Sequence, residues 1–268
     1  MRRPVALTIA GSDSGGGAGI QADLKTFTAI GVYGMSVITA ITAQNTVEVR
    51  EVAELPVTLV RSQLDAVMSD IGAQAVKTGM LSSSELVLVV AEGIQRHGIT
   101  RLVVDPVMVA KSGDRLLRDS AVQTLRDSLL PHALIVTPNV PEAEVLAGRA
   151  IVDESGMREA ARAIVELGPR SVVMKGGHLQ GADVLDLLFD GQAFYEFRSP
   201  RVATKNTHGT GCTLAAACAA YLALGHDVVE SVRLSKEFVT GAILQSLDLG
   251  HGHGPLDHMW RQQLPGGH

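Results

Sequence analysis

Short runs of β-branched residues alternate along this chain with longer stretches whose apolar residues recur at helical spacing. Residues 5–10, 36–43 and 102–104 are typical of buried strands, and residues 20–30 carry an apolar side chain at every third or fourth position. Such alternation predicts a parallel sheet covered by helices on both faces. No linker, internal repeat or low-complexity segment interrupts the pattern, so we expect one α/β domain over residues 1–268.

The remaining segments continue the same pattern towards the end of the sequence. We predict further strands over residues 75–77, 134–136 and 172–174. We predict further helices after Pro56 and over residues 86–95, 153–167, 213–224 and 227–247. The Asp190-Gly191 pair between two extended runs predicts a hairpin with a two-residue turn.

Charge and composition exclude several classes of protein. With 46% hydrophobic and 19% charged residues the chain can form a sizeable core, which excludes intrinsic disorder. The formal net charge is −5 without a long basic run, so we expect no nucleic-acid partner. The longest apolar stretch, residues 214–224, is about half the length that a bilayer requires, so we expect no membrane partner. Two cysteines without a CxxC motif fit a reducing cytoplasm, which is the location we expect.

Ligands of parallel α/β sheets bind at the carboxyl ends of the strands, which draws attention to residues 11–19. This segment follows the first predicted strand and contains five glycines. Glycine permits a positive φ and a close approach of the backbone to a ligand. The segment matches neither the Walker phosphate loop, since no lysine follows its glycines, nor the GxGxxG dinucleotide fingerprint. It is therefore either a ligand-binding loop of another kind or a flexible connection.

A second glycine-rich segment leads into an alanine-rich helix. The backbone N–H groups of Gly209, Thr210 and Gly211 at a helix N-terminus form an anion site that the helix dipole favours. The same dipole lowers the pKa of a nearby thiol, so we expect Cys212 to act as a proton acceptor or nucleophile. The alternative is that Cys212 is only a small residue at the start of a helix. We expect Cys218, within the helix, to be inert core packing.

Side chains suited to a metal ion and to phosphate follow other predicted strands. Asn139 and Glu142 lie one helical turn apart, Asp105 ends a neighbouring strand, and oxygen ligands of this kind suit Mg²⁺. Lys175, beside two glycines, can neutralise a phosphate as a point charge. Plain alternatives exist for both motifs, namely an ordinary helix start for Asn139 and a tight turn with a solvated lysine for Lys175.

Three histidines between residues 251 and 258 superficially suggest a metal tract. Helical ligand spacing is impossible through the intervening glycines and proline, and no thiol lies nearby in the sequence. A loop shaped by Gly and Pro is therefore favoured over a zinc site.

Taken in order, the motifs resemble one enzyme family. They are residues 11–25, 37–40, 43–46, 77–80, 105–113, 137–139, 174–178, 205–213 and 251–255. Together they closely resemble the hydroxymethylpyrimidine/phosphomethylpyrimidine kinases of thiamine biosynthesis, which belong to the ribokinase-like superfamily. One departure is the looser Ser14-Gly15 pair in the first glycine-rich loop.

The resemblance implies a central, mainly parallel sheet flanked by helices, usually in a homodimer. It implies the use of ATP and Mg²⁺ to phosphorylate 4-amino-5-hydroxymethyl-2-methylpyrimidine, and then to phosphorylate the monophosphate to the diphosphate. Where the wider superfamily commonly has an aspartate base at the end of the anion-binding motif, this branch has a cysteine, here Cys212.

The resemblance also assigns roles to individual residues. The pyrimidine is expected to lie against Gly11, Ala18, Asp23, Gln44, Met80 and Val107. The amide of Gln44 offers both a donor and an acceptor to the aminopyrimidine edge. The transferring phosphoryl group is expected to be held by Gly209, Thr210, Gly211 and Cys212, with Cys212 accepting the hydroxymethyl proton. The ATP phosphates are expected to meet Lys175, Asn139 and Thr210, and Mg²⁺ is expected near Asp105 and Glu142.

Two other functions remain open from the sequence. A pyridoxine or pyridoxal kinase of the same superfamily also phosphorylates a hydroxymethyl group on a planar heterocycle. A sensor that binds the pyrimidine without catalysis is the alternative outside the enzymes, although it would not need the phosphate-binding motifs. The stretch 202–208 before the anion-binding motif is a candidate lid.

Overall fold

The computed structural model describes residues 3–108, 119–179 and 181–262, so the part of the 105–113 motif from residue 109 onwards lies outside the described residues. Within these ranges the strands are β1 Val5–Asp13, β2 Tyr33–Gln44, β3 Val49–Glu54, β4 Ala75–Thr78, β5 Leu102–Val104, β6 Ile135–Val136, β7 Val172–Lys175, β8 Asp183–Phe189 and β9 Phe194–Pro200. The α-helices are α1 Gly19–Ile30, α2 Val57–Asp70, α3 Ser84–Arg96, α4 Asp119–Thr124, α5 Val140–Ala147, α6 Glu154–Val165, α7 Thr210–Ala223 and α8 Val228–Leu244.

The strands form one sheet in the order β3-β2-β1-β4-β5-β6-β7-β8-β9. From β2 to β7 every neighbouring pair is parallel, and antiparallel pairs occur at the two ends. The predicted parallel sheet flanked by helices is therefore confirmed. The chain runs from β1 to one side of the sheet and later returns to β4 on the other side. The carboxyl ends of β1 and β4 thus flank a switch point, where open α/β sheets bind ligands.

Each face of the sheet has its own apolar core. On one face Leu7, Val76 and Val104 pack with helices α2, α3, α5 and α6. On the other face Ala6 and Ala75 pack with the alanine-rich helix α7, which is almost wholly buried. Because these strand residues are alanines, α7 lies close to the sheet. Its N-terminus is thereby brought to the carboxyl ends of the central strands.

Two local features differ from the predictions. The hairpin is confirmed, but the two-residue turn is wrong, because Phe189 pairs with Phe194 and four residues connect the strands. The Asp190 carboxylate accepts hydrogen bonds from the N–H groups of Gln192 and Ala193, which closes this longer turn. Strand β3, which the predictions did not include, is a largely exposed antiparallel edge strand. None of the described helices has the length and apolar character needed to span a bilayer.

A buried ion pair joins the elements around the switch point. The Lys77 ammonium at the end of β4 contacts both carboxylate oxygens of Asp23 on α1, at 3.0 and 2.8 Å. The Thr8 hydroxyl on β1 donates a third hydrogen bond to Asp23, at 2.6 Å. All three side chains are fully buried. Burial lowers the pKa of Lys77, but the Asp23 carboxylate outweighs it and holds the pKa above its usual value.

We predict that Lys77→Met lowers the free energy of unfolding by about 3–5 kcal/mol, because it leaves the Asp23 carboxylate buried and unpaired. Urea unfolding at neutral pH measures this change. The matched control is Arg61→Met, which breaks the exposed pair of Arg61 with Glu92 and should cost less than about 1 kcal/mol.

The double variant Asp23→Leu, Lys77→Met removes both charges and should be less destabilised than the sum of the two single variants. A loss of less than about 1 kcal/mol in Lys77→Met would contradict the structural role of the pair.

Candidate active site

A cavity of about 700 Å³ opens at the carboxyl edge of the sheet, beside the switch point. The ends of β1, β2, β4 and β7 and residues that follow β5 and β6 line it, together with the N-terminus of α7. Almost all the residues predicted for the site line this cavity, namely Gly11, Ala18, Gln44, Met80, Asp105, Val107, Asn139, Glu142, Lys175, Gly209, Thr210, Gly211 and Cys212. Residues scattered over 200 positions of sequence are thus brought together at one edge.

Asp23 is the exception among the predicted residues. Its carboxylate lies beneath the cavity and is engaged by Lys77 and Thr8. The structure therefore does not support the expected contact of Asp23 with the pyrimidine. Lys77 lines the cavity in its place. Sequence reasoning missed this because the charge partner of Asp23 lies 54 residues away.

The glycine-rich loop, residues 11–19, is an ordered structure built around the Asp13 carboxylate. Asp13 accepts hydrogen bonds from the N–H groups of Gly15, Gly17 and Ala18 at 2.8–3.0 Å. Gly19, with φ +55°, begins helix α1, and a Cβ there would lie 2.4 Å from the carbonyl oxygen of Gly11. The interpretation of this loop as a flexible connection is thus not supported by its geometry.

Gln44 and Met80, which were expected to contact the pyrimidine, both line the cavity. The Gln44 side-chain oxygen accepts a hydrogen bond from the Thr42 hydroxyl at 3.2 Å, and its backbone exchanges two bonds with the Ser14 side chain. The Ser14 bonds hold the Gln44 backbone against the glycine-rich loop, while the Thr42 hydroxyl also donates to the Ser12 carbonyl oxygen at 2.9 Å. A Cβ on Gly11 would lie 2.5 Å from the Met80 methyl group. The Met80 side chain can therefore adopt this position only because residue 11 has no side chain.

The anion-binding motif begins at Gly209, which precedes helix α7 and has φ +83°. A Cβ on Gly209 would lie 1.8 Å from the carbonyl oxygen of Gly17, so only glycine fits this contact between the two glycine-rich loops. The N–H groups in the first turn of α7 have no carbonyl one turn earlier in the helix to bind, although the Thr210 N–H donates to the Thr207 carbonyl oxygen before the helix at 3.3 Å. They face the cavity with the positive end of the helix dipole, as an anion site requires.

The expected lowering of the Cys212 pKa is wrong. Burial raises the pKa of the Cys212 thiol to about 11, and the neighbouring Lys77 ammonium opposes this rise only in part. The cost of desolvating a thiolate therefore outweighs the stabilisation that Lys77 and the hydrogen bond from the Gly19 backbone provide. Cys218 is fully buried, and burial raises its pKa to about 12, in keeping with its expected place in the core.

Lys175 forms the cationic part of the site. Its ammonium lies 3.0 Å from Asp105 and 3.8 Å from Glu142. A Cβ on Gly211 would lie 3.1 Å from the Lys175 nitrogen, so the lysine stands directly beside the N-terminus of α7. Burial lowers the Lys175 pKa, but the two carboxylates outweigh it and raise it to about 12. The lysine is therefore a permanent positive charge at the anion site.

Asn139 and Glu142 form a capping box at the start of α5. The Asn139 side chain accepts from the Glu142 N–H at 2.9 Å, and the Glu142 carboxylate accepts from the Asn139 N–H at 2.8 Å. The helix-start interpretation is thus correct for this motif. Both residues also line the cavity, so capping and ligand binding are compatible here.

The carboxylates of Asp105 and Glu142 fit a magnesium ion that arrives with phosphates. Burial raises the pKa of Glu142, with Lys175 acting in the opposite direction, so a further cation would favour the ionised form. Within the described ranges no group of three or more Asp, Glu, His or Cys side chains could hold a metal ion by itself. Mg²⁺ commonly binds through one or two carboxylates together with substrate phosphates, and this donor set provides that.

The histidines of the C-terminal tract have separate partners. The buried His258 ring contacts the Thr213 hydroxyl at 2.9 Å, and the exposed His253 ring contacts the Lys205 carbonyl oxygen at 2.9 Å. Burial lowers the pKa of His258 to about 4. The tract therefore packs its backbone and its rings against the anion-binding motif.

Sequence reasoning also missed Asp13 and His208, two cavity-lining residues that contact each other at 2.9 Å. Asp13 lies in the motif at residues 11–25 and His208 in the motif at residues 205–213, so the sequence indicated that both are near the site. It did not indicate that they pair, because 195 positions separate them.

Comparisons with known proteins agree with this arrangement. The family described as phosphomethylpyrimidine kinase matches residues 13–257. The hydroxymethylpyrimidine/phosphomethylpyrimidine kinase of Streptomyces coelicolor is 54% identical over 257 residues, which are 96% of this chain and 95% of that protein. The thiamine biosynthesis bifunctional protein of Geobacter sulfurreducens is 54% identical over 94% of this chain, which spans only 52% of that longer relative.

The fold has close counterparts among solved structures. A Bacillus subtilis pyridoxal kinase in complex with ADP superposes with a TM-score of 0.92 at 40% identity, covering 98% of this chain and all of that one. Its identity is lower than that of the pyrimidine kinases. The family match and these identities show that the chain belongs to the phosphomethylpyrimidine kinase family.

Proposed function

We propose that the chain transfers the γ-phosphoryl group of ATP to 4-amino-5-hydroxymethyl-2-methylpyrimidine, and then transfers a second one to the resulting monophosphate. The observation that carries this proposal is that Gln44, Met80, Lys175 and the N-terminus of α7 line one shared cavity. A heterocycle and a phosphate chain thus have adjoining sites. One continuous sheet underlies both, which supports the proposal of a single domain.

The nucleotide phosphates are proposed to bind between Lys175, Asn139 and Thr210. Lys175 supplies a fixed positive charge, and the first turn of α7 supplies N–H donors. Phosphoryl transfer through a loose transition state depends mainly on alignment and charge neutralisation, which these groups provide. Asp105 and Glu142 would hold Mg²⁺, which when bound adds charge neutralisation at the phosphates.

Cys212 is proposed to accept the hydroxymethyl proton as its thiolate. With a pKa of about 11 the thiol form dominates at neutral pH, so only a small fraction of the enzyme carries the base. Lys77, held in the cavity floor by Asp23, favours the thiolate electrostatically. Asp23, beneath the cavity, thereby contributes to catalysis through Lys77.

One assay tests the proposed function against its alternatives. The purified protein is incubated with Mg-ATP and either the pyrimidine alcohol, its monophosphate or pyridoxal, and the products are identified by mass spectrometry. We expect pyrimidine diphosphate from both pyrimidine substrates. Phosphorylation of pyridoxal alone would establish the pyridoxal kinase alternative, and no ADP formation with any alcohol would favour a sensor.

We also propose that the protein is a homodimer. Exposed apolar side chains occur on β2, β3 and α2, among them Ile41, Val52 and Leu59, and β3 is an exposed edge strand. Edge strands are surfaces that proteins usually cover. A cytoplasmic location stays a prediction from the cysteine content.

We predict that Gln44→Leu weakens the binding of the pyrimidine alcohol about 10–100-fold, because a polar edge of the ligand loses its partner. Isothermal titration calorimetry with the alcohol measures the dissociation constant. Gln192→Leu, on the exposed connection between β8 and β9, is the matched control and should bind normally. Unchanged affinity in Gln44→Leu would contradict the assignment.

We predict that the single-turnover rate of phosphoryl transfer rises about tenfold per pH unit between about pH 7 and 9, because the thiolate fraction of Cys212 rises in that proportion below its pKa. Rapid-quench measurements at saturating Mg-ATP test this. Cys212→Ala should be about 10²–10⁴-fold slower and lose the pH dependence.

Cys218→Ala, in the same helix, is the control and should retain the slope of the unsubstituted enzyme. A flat pH profile in the unsubstituted enzyme would remove the Cys212 thiolate from the mechanism.

A further inference from the structure

The Asp13 carboxylate contacts two segments that are far apart in the sequence, the glycine-rich loop and the residues just before α7. Its Oδ2 atom accepts from the Gly17 N–H at 3.0 Å and from the Ala18 N–H at 2.8 Å. The Nε2 atom of His208 lies 2.9 Å from the same oxygen. Only 3% of the Asp13 side chain and 10% of the His208 side chain are exposed. This contact is therefore largely shielded from competition by water.

The His208 backbone is held independently of its ring. Its N–H donates to the carbonyl oxygen of Gly254 at 3.1 Å, and it forms a parallel bridge with Pro255. The C-terminal tract thus anchors the backbone while the ring reaches across to Asp13. Replacing the ring would leave this anchor in place.

The two segments also lie in direct contact. A Cβ on Gly17 would lie 2.4 Å from the Cδ2 atom of the His208 ring, and a Cβ on Gly209 would lie 1.8 Å from the Gly17 carbonyl oxygen. The contact therefore leaves no room for a side chain on either glycine. The glycine-rich loop carries Gly11 and Ala18 on its cavity side, and Gly209 begins the anion-binding motif.

The charge of Asp13 suits it to hold this contact. Burial raises the pKa of Asp13, but the hydrogen bond from His208 and those from the loop N–H groups outweigh it and keep the pKa below its usual value. The carboxylate consequently stays ionised and accepts from both segments at neutral pH. Hydrogen bonds to an ionised acceptor are stronger than those between neutral groups.

We infer that His208 is a positioning residue, which acts through Asp13 to hold the glycine-rich loop in register with the anion-binding motif. The inference rests on the proposed function, because these two segments would then carry the acceptor alcohol and the transferring phosphoryl group. Phosphoryl transfer requires those groups in line, and a misplacement of about 1 Å can cost about 10²-fold in rate. The ring nitrogen engaged with Asp13 has no part in the proton transfer assigned to Cys212.

Three substitutions of His208 separate this role from simple packing. In His208→Gln the side-chain amide can still reach and donate to Asp13. In His208→Leu the side chain is apolar and has no donor, and in His208→Asn the amide is too short to span the gap. His226→Gln, an exposed histidine beyond the other end of α7, is the matched control.

The readouts are kcat per folded molecule with the pyrimidine alcohol and Mg-ATP, and the dissociation constant of ADP. We expect kcat to fall about 10–100-fold in His208→Leu and His208→Asn but less than about fivefold in His208→Gln. The dissociation constant of ADP should change less than about threefold throughout, since Lys175 and α7 stay in place. If the leucine variant does not fold, the Asn and Gln variants carry the same comparison.

Equal kcat in the Gln and Asn variants, or a kcat within twofold of the unsubstituted enzyme in His208→Asn, would overturn the inference. An unsubstituted enzyme without kinase activity would instead refute the proposed function. In that case amide exchange by NMR still tests the contact, because the Gly17 and Ala18 N–H groups should exchange about tenfold faster in His208→Asn than in His208→Gln. Equal exchange rates in the two variants would then overturn the inference about His208.

Discussion

The buried contact between Lys77 and Asp23 is the interaction on which the arrangement of the site depends. It ties β4 to α1, and the Thr8 hydroxyl ties both to β1. Because an unpaired charge in this position would be very costly, the three elements have one favourable register relative to each other. The glycine-rich loop leaves β1 and enters α1 directly above this contact, so its course follows from the ion pair beneath it.

The electrostatics of the cavity explain how an acidic protein can handle a polyanion. The net charge of −5 describes the whole surface, whereas the cavity combines Lys175, Lys77 and the positive end of α7. Both lysines are held by carboxylates, which keep them charged despite burial. Burial also raises the pKa of Cys212, which the Lys77 ammonium opposes only in part. The base that we propose is therefore scarce at neutral pH.

Local sequence patterns predicted most of the fold. The strands at residues 5–10 and 102–104 and the helix after Pro56 depend on periodicity and start signals, which neighbouring residues carry. The hairpin turn was mispredicted because the Asp190 side chain closes a four-residue connection instead of a two-residue turn. The exposed strand β3 lacks a buried face and therefore has no strong apolar signal.

The sequence by itself determined the parallel α/β sheet, the family and nearly all the residues that meet at the cavity, because motifs at strand ends must gather at one edge of such a sheet. Only the tertiary structure decided which side chains pair there. Asp23 forms an ion pair with Lys77, and Asp13 contacts His208, which is 195 positions away in the sequence. Neither pairing can be recognised from the residues next to either partner in the sequence. The pKa of Cys212 was likewise decided by burial, since desolvation depends on everything packed around the thiol and not on the helix start alone.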